Sequence, residues 1–391
     1  MLLRLKIRNF LSFYEETVFD MFPNPKRASF PNHIYSDLSV PLLKQAAIYG
    51  ANGSGKSNFI KALLFLKTFV INENFLNNID LDDYIFQLVK EKQSKICFEI
   101  EFFYKEKYFI YTVEIDEKSI HETLSLSGIG KNPDRVLFKR NGSEIGSVYL
   151  PNADSAKQLL EMNSRSSLLP LNQKFPVIQG EDVKQAYTWF LEKLEIVTIN
   201  STIPALIDIM SQQPGLLKFT NEIFENIGVG INTVKVADTP FDQWMSDHKN
   251  AKDIQQIMEQ DPLRPNSGIS GMKNNRPLFS VSLKKGIKTV QEFLFDQIGQ
   301  AGYCKDMKIS AQSDGTVRLL TLIPAIYDAV NKQKVVFIDE IDNSIHPNLM
   351  FLMLKYFGIK ASKGQLIYTT HTTHLINQQE LLRPDEIWLT E

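Results

Sequence analysis

Cysteine is scarce in this chain: Cys97 and Cys304 are the two it carries in 391 residues. They show no metal-ligand spacing and cannot build a disulfide framework, a usage that fits a reducing, cytoplasmic setting. A charge excess is also lacking, since 43 Lys and Arg stand against 45 Asp and Glu for a net charge of −2. That excludes a general electrostatic footprint for nucleic acid, so any such contact must come from a local patch. No apolar run is long enough to span a bilayer, and residues 1–10 lack the uninterrupted apolar core of a signal peptide. The expectation is a cytoplasmic protein without a membrane partner. Internal repeats and sustained coiled-coil heptads are absent too. What remains is an ordinary globular composition, 43% apolar and 23% charged, in a chain long enough for one elaborate domain or two smaller ones.

Against that background one segment stands out: Gly50-Ala51-Asn52-Gly53-Ser54-Gly55-Lys56-Ser57. It has the form G-x-x-x-x-G-K-S and sits between a short apolar strand, 45–49, and a helical pattern carrying Phe59, Leu63, Leu66 and Val70. Three glycines let the backbone curl so that its N–H groups face an anion, and the following helix adds the positive end of its dipole. Lys56 can reach the β- and γ-phosphates of ATP, and the Ser57 hydroxyl can ligate Mg²⁺. Asn58 opens the helix. A Gly/Ser-rich turn beside a lysine is the competing reading, and the strand–loop–helix context disfavours it.

Around this unit the chain reads as follows. Leu3, Leu5 and Ile7 alternate with Arg4, Lys6 and Arg8, a half-buried strand with one basic face. A second strand is expected near 17–21 and a proline-marked loop up to about Ser39. Residues 96–115 alternate as a hairpin turning at Lys105-Glu106, and 136–142 adds a strand ending in Asn-Gly, so an antiparallel meander follows the first helix. From about 153 to 225 the pattern is mainly helical, most clearly at 183–194, and 228–236 can return to strand. Residues 259–277 read as a polar loop or a lid.

The second half of the site is expected at Val335-Val336-Phe337-Ile338-Asp339-Glu340. A buried parallel strand delivers its last side chains to the carboxyl edge of the sheet. Asp339 would hold Mg²⁺ there, directly or through water, and Glu340 would polarise the attacking water. Most of the chain separates Ser57 from Asp339, a long insertion between the two halves of the site. Ser313-Asp314-Gly315-Thr316 opens a helical pattern, in which Pro324 predicts a kink or an early end. Ile341-Asp342-Asn343-Ser344-Ile345-His346-Pro347 follows Glu340, and a further buried strand expected at 365–370 ends in His371. His346 and His374 are left unassigned.

Taken together, Asn9-Phe10…Ser12-Phe13, the phosphate loop, Ser313-Asp314-Gly315-Thr316, Asp339-Glu340-Ile341-Asp342 and Thr369-Thr370-His371 resemble the ABC-type branch of the AAA ATPases, relatives of the RecF, SMC and OLD ATPases. Within it the chain is similar to the bacterial ATPases of phage-defence and abortive-infection systems such as PARIS, Septu and some retrons. The resemblance implies an α/β fold: an ABC-type P-loop head with a mixed sheet, an antiparallel β meander and an inserted helical subdomain. The expected division is an N-terminal lobe, 1–150, a helical insertion or lid, 151–305, and a C-terminal lobe, 306–391. It implies ATP and Mg²⁺ as ligands, and a homodimer or higher oligomer with ATP clamped between Lys56 of one copy and Ser313 and Gly315 of the other. His371 would contact the γ-phosphate, and Arg8 could approach the base or phosphates or lie on a solvated strand edge. A glutamine equivalent to the family's Q-loop is not assignable, Gln87 and Gln173 both being candidates. OLD-type proteins continue into a nuclease after the histidine strand and this sequence does not. Toxic chemistry, commonly a nuclease, is therefore expected in a separate effector encoded in the same operon, or does not exist.

Three functions compete. The first is a nucleotide-gated switch or scaffold in an anti-phage complex. The second is a RecF- or SMC-like repair ATPase that binds DNA when ATP is bound, through Lys131, Arg135, Lys139 and Arg140 or through Lys284, Lys285 and Lys288. The third, the ATPase subunit of a membrane transporter, is disfavoured by the N-terminal Asn-Phe strand and the altered signature.

Overall fold

The computed structural model describes residues 1–146, 150–248, 268–274, 276–284, 286–361, 364–375 and 380–390. The chain forms two compact units, one of Met1–Thr198, Asp328–Ile341 and Phe357–Glu391, the other of Ile199–Tyr327 and Asp342–Tyr356.

The first unit is organised by a five-stranded, wholly parallel sheet. Its order is Leu194–Val197, Val335–Ile338, Gln365–Thr370, Gln45–Gly50, Ile387–Thr390. The strands Val335–Ile338 and Gln365–Thr370 are buried at every residue, which is why the first reads as an unbroken apolar run and neither alternates. Because all five run the same way, their carboxyl ends share one edge. The phosphate-loop segment, Asp339 and His371 all leave from it. Leu194–Val197 is a strand that the sequence reading placed at the end of a helix. The helix Glu181–Thr188 passes instead through a π-helical turn, Trp189–Lys193, into this short edge strand.

A seven-stranded antiparallel sheet carries the expected meander, in the order Glu144–Gly146, Arg135–Asn141, Ile120–Leu126, Lys107–Ile115, Ile96–Tyr104, Leu2–Arg8, Thr17–Asp20. The apolar faces of both sheets join one core with the helix Lys56–Ile71, whose Phe59, Leu63, Leu66 and Val70 are buried. Phe65 packs on Phe10 and Phe98, with ring centroids 5.3 and 5.7 Å apart, while Phe59 meets Phe337 at 6.2 Å. The helix after the phosphate loop therefore bridges the two sheets, and its packing fixes where the loop begins.

The helices Ala153–Met162, Leu168–Lys174 and Glu181–Thr188 bury Leu160, Leu169 and Val183 in that same core, and Trp189 stacks on Phe102 at 4.1 Å. These contacts put residues 151–198 with the first unit, so the units do not coincide with divisions at 150/151 and 305/306. A fully buried ion pair within the meander, Arg140 to Glu122 at 3.3 Å, anchors residues 164–168 to it. Glu122 also accepts from Tyr111 at 2.7 Å, Ser167 at 2.6 Å and the Leu168 N–H at 3.0 Å, and Arg140 donates to the carbonyls of Ser164 and Ser166. Burial pulls the Arg140 guanidinium down from its usual range, and the Glu122 charge acts against that pull.

The second unit is helical in part only. Leu206–Gln212 and Pro214–Ile227 are helices. They are followed by an antiparallel sheet, Ile231–Pro240, Ile287–Ile298, Arg276–Lys284 and Gly268–Lys273, with Cys304–Lys308 pairing Ile287–Ile298 as well. Phe241, Trp244, Phe279, Val281 and Val290 form its apolar cluster. Of the lid or loop expected at 259–277, residues up to 267 and residue 275 fall outside the described residues, and Gly268–Lys273 pairs antiparallel with the strand Arg276–Lys284. The helix Asp314–Asn331 runs unbroken through Pro324. Buried Leu319, Leu320, Leu322, Ile323 and Ile326 hold it across the one backbone hydrogen bond that proline removes.

Replacing Glu122 by Ala leaves the Arg140 charge buried without its counter-ion. We expect the variant to lose about 3–5 kcal/mol of stability, read as a lowered urea midpoint.

Candidate nucleotide site

The strand Gln45–Gly50 ends at the parallel-sheet edge, and the helix Lys56–Ile71 starts six residues later with Gly55 as its N-cap. Gly53 and Gly55 have φ of 84° and 95°, left-handed values that disfavour any other residue. The first helical turn carries no acidic residue of its own, so the helix itself sets no negative charge against an anion at its positive end. Lys56 is 7% exposed, and its ammonium turns back on the loop, donating to the carbonyls of Gly50 at 2.7 Å and Ala51 at 2.8 Å. Asn52 and Gly53 are exposed, and Ser54 and Asn58 are half-buried.

Two remote segments shape this loop. Thr390, at the end of the edge strand Ile387–Thr390, donates to the Tyr49 carbonyl at 3.1 Å, which leaves its oxygen to accept from Ser54 Oγ at 2.7 Å. A Cβ on Gly50 would collide with both hydroxyls. From the other side Ser12 brings its Oγ to within 2.8 Å of the place a Cβ on Gly55 would take. The N-terminal Asn9-Phe10…Ser12-Phe13 stretch thus meets the phosphate loop, with Asn9 held by the carbonyls of Gln93 and Lys95 at 2.8 and 2.9 Å.

Across the sheet edge the acidic pair forms one hydrogen-bonded set with the loop. Asp339 is 6% exposed, and its Oδ1 accepts from Thr369 Oγ1 at 2.6 Å and from Ser57 Oγ at 3.4 Å. The backbone N–H of Glu340 donates to Thr369 Oγ1 at 2.7 Å, and that of Asp339 to the Val197 carbonyl at 2.8 Å. Glu340 has φ of 45°, in the left-handed region. His371 follows Thr370 at the exit of its strand and is exposed. Among the described residues no group of three His, Cys, Asp or Glu could cage a metal. One carboxylate and one hydroxyl fit Mg²⁺, which keeps waters and takes its other oxygens from a nucleotide's phosphates. Ser57 and Asp339 are the residues that would hold it.

The Ser313-to-Thr316 turn lies in the second unit. Ser313 Oγ accepts from the Thr316 N–H at 3.1 Å, an N-cap for the helix Asp314–Asn331. A Cβ on Gly315 would stand 2.6 Å from the Ser344 carbonyl oxygen, so the backbone behind Asp342 passes where only glycine leaves room. Arg276, which the sequence did not single out, clamps this turn. Its guanidinium donates to the carbonyls of Ile309 and Gln312 at 3.1 and 2.8 Å and to Asp314 at 2.5 Å.

Other candidates have different employment. Arg8 donates to Cys97 Sγ at 3.1 Å, on the meander sheet. The Gln87 amide is taken up by the carbonyls of Asp82 and Ile85 at 2.7 and 3.0 Å, and Gln173 lies half-buried on the helix Leu168–Lys174. The basic clusters expected to touch DNA are largely spoken for. Arg140 is wholly buried against Glu122, Arg135 pairs with Asp182 at 2.8 Å, Lys284 pairs with Asp238 at 2.7 Å, and Lys288 sits over the Phe241 ring at 5.9 Å. Lys131 and Lys139 are exposed, and Lys285 lies outside the described residues. Sequence reasoning quoted Thr369 only beside His371, with no role of its own, and missed Thr390. A lone hydroxyl inside or at the end of a strand gives no motif, and only the register of the sheet shows what it faces.

A sequence-family profile described as "AAA domain, putative AbiEii toxin, Type IV TA system" matches residues 46–198 and 237–377, a span that holds the phosphate loop, Asp339, Glu340 and His371. No curated protein matches the sequence. Among solved structures the chain is similar to an SMC head bound to the C-winged helix domain of ScpA, at 14% identity and TM-score 0.48, with 96% of this chain and 91% of that one covered. It is similar to the SMC head domain from Thermotoga maritima at 15% identity and TM-score 0.43, with the same 96% and 91% coverage. A third, an Smc head with an extended coiled coil bound to the C-terminal domain of ScpA derived from Pyrococcus furiosus, is 13% identical at TM-score 0.42, again over 96% and 91%.

Gly55→Ala combines a left-handed φ, worth about 1–2 kcal/mol for an L side chain, with a collision against Ser12. The expected outcome is a lowered Tm and a loss of fluorescent-nucleotide binding, both measured on the full chain.

Proposed function

Because the chain belongs to the AAA-domain family whose description names AbiEii and type IV toxin–antitoxin systems, we propose that it binds and hydrolyses ATP as a nucleotide-gated switch in a bacterial anti-phage complex. The observation that carries the ATPase part is the hydrogen-bonded set Ser57, Asp339, Thr369 and Glu340 at one sheet edge, beside a glycine-shaped loop. Lys56 would exchange the carbonyls of Gly50 and Ala51 for the β- and γ-phosphates, while loop N–H groups and the helix start receive the remaining phosphate charge. Bound between Ser57 and Asp339, Mg²⁺ would supply charge neutralisation across the β- and γ-phosphates. Glu340 polarises a water and accepts its proton as the water oxygen attacks the γ-phosphorus. The bond to the bridging oxygen breaks, and ADP and phosphate leave. His371 contacts the γ-phosphate from the next strand.

The switch needs a second copy. Ser313 and Gly315 of one subunit would close over the nucleotide held by Lys56 of another, so that ATP binds the closed pair more tightly than the open one and shifts the population between them. We assign the toxic step to a separate effector, a nuclease or toxin encoded beside this chain. The DNA-repair reading loses support from the internal ion pairs of Arg135, Arg140 and Lys284. Among the described residues no helix is long and apolar enough to cross a membrane.

Lys56→Ala should abolish ATP binding in a nucleotide titration. Glu340→Gln should bind ATP, stall hydrolysis and accumulate as a dimer or larger species in size-exclusion chromatography with ATP. Wild-type turnover by that variant would remove Glu340 from the water-polarising role. Expression with the operon neighbours tests the defence part: copurification with an effector and reduced phage plating are expected, and neither occurring refutes it.

A further inference from the structure

Three hydrogen bonds converge on Thr369, a residue with 0% exposure in the middle of the acidic site. Its hydroxyl has one proton, and that proton goes to Asp339 Oδ1 at 2.6 Å. The same oxygen accepts from the N–H of Glu340 at 2.7 Å, and the Thr369 carbonyl accepts from the N–H of Ile341 at 3.1 Å. The direction of each bond is therefore fixed: Glu340 N–H to Thr369 hydroxyl to Asp339 carboxylate. A hydroxyl bonded to a buried carboxylate is among the stronger hydrogen bonds in a protein. At the other end of the chain of bonds, Glu340 holds φ of 45°, a conformation that persists in a non-glycine residue only where its surroundings impose it. The two N–H groups that bracket this strained unit, those of Glu340 and Ile341, both end on Thr369.

The geometry points to Thr369 as the positioning residue of the hydrolytic site: its hydroxyl locks the orientation of Asp339 to the strained backbone that aims the Glu340 side chain. The inference rests on the ATPase reading above and adds a residue outside the phosphate-loop and acidic-pair motifs. It separates two properties that a purely structural threonine would not. Nucleotide affinity without Mg²⁺ depends on the phosphate loop, which the Thr369 hydroxyl reaches only through Asp339. Turnover depends on Asp339 and Glu340 being set together, which it does. The methyl group of Thr369 packs, and the hydroxyl positions, so valine and serine divide the two contributions.

The experiment compares T369V and T369S with wild type in the full chain. For T369V we expect ATP binding in EDTA to be unchanged and kcat to fall by about 10–100-fold, the usual consequence of removing an outer-shell partner of a metal ligand. Without nucleotide or metal, hydrogen–deuterium exchange in the peptide spanning 339–341 should be faster in T369V, because the Glu340 N–H has lost its acceptor. T369S should match wild type in all three. Full turnover by T369V, unchanged exchange at 339–341, or a T369S as slow as T369V would each overturn the inference. If T369V fails to fold, T369S still decides, since loss of turnover with the hydroxyl present contradicts it. A wild-type protein that hydrolyses no ATP would refute the ATPase reading, and the exchange comparison would then judge Thr369 alone.

Discussion

The parallel register of three strands is the constraint on which the site depends. Gln365–Thr370 lies between Gln45–Gly50 and Val335–Ile338, with Thr370 opposite Tyr49 and Tyr368 opposite Ile338. Parallel strands deliver all their carboxyl ends to one edge. A phosphate loop, an acidic pair and a histidine drawn from distant parts of the sequence therefore arrive together. A one-residue slip would turn Thr369 away from Asp339. Burial on both faces of the sheet makes such a slip costly, so the precision of the site is supplied by the same apolar packing that stabilises the unit.

Much of this was legible in the residues. The phosphate loop announces itself because its glycines and lysine are adjacent, and Asp339 because a fully apolar run ends in it. The meander alternates cleanly, so 96–115 and 136–142 could be placed as strands. Other parts were hidden for identifiable reasons. Leu194–Val197 spans only four residues and follows a helix without a turn residue between them. The strands Arg276–Lys284 and Ile287–Ile298 are long but carry many polar residues on a sheet with a small apolar cluster, so their periodicity is blurred. Pro324 misled in the opposite direction, because buried leucines and isoleucines outweigh one missing hydrogen bond.

Charge was the poorest guide. Arg140 looks like half of a surface Lys-Arg pair, yet it is the most enclosed cation of the meander. A guanidinium is indistinguishable in sequence whether it waits for a phosphate or neutralises a buried glutamate. The difference lies in Glu122 on the adjacent strand, which sequence distance conceals. Arg276 shows the same lesson with a different outcome, because its partners are the carbonyls that shape the Ser313 turn.

The contact among Gly50, Ser54 and Thr390 has an evolutionary corollary. Edge strands usually tolerate drift, since one side faces no neighbour. Here the hydroxyl of Thr390 occupies the volume that any side chain at position 50 would need. These three positions should therefore change in concert or not at all. A bulkier residue at 390 in a related protein would imply a reshaped cradle and altered nucleotide preference, even with every residue of the loop itself retained.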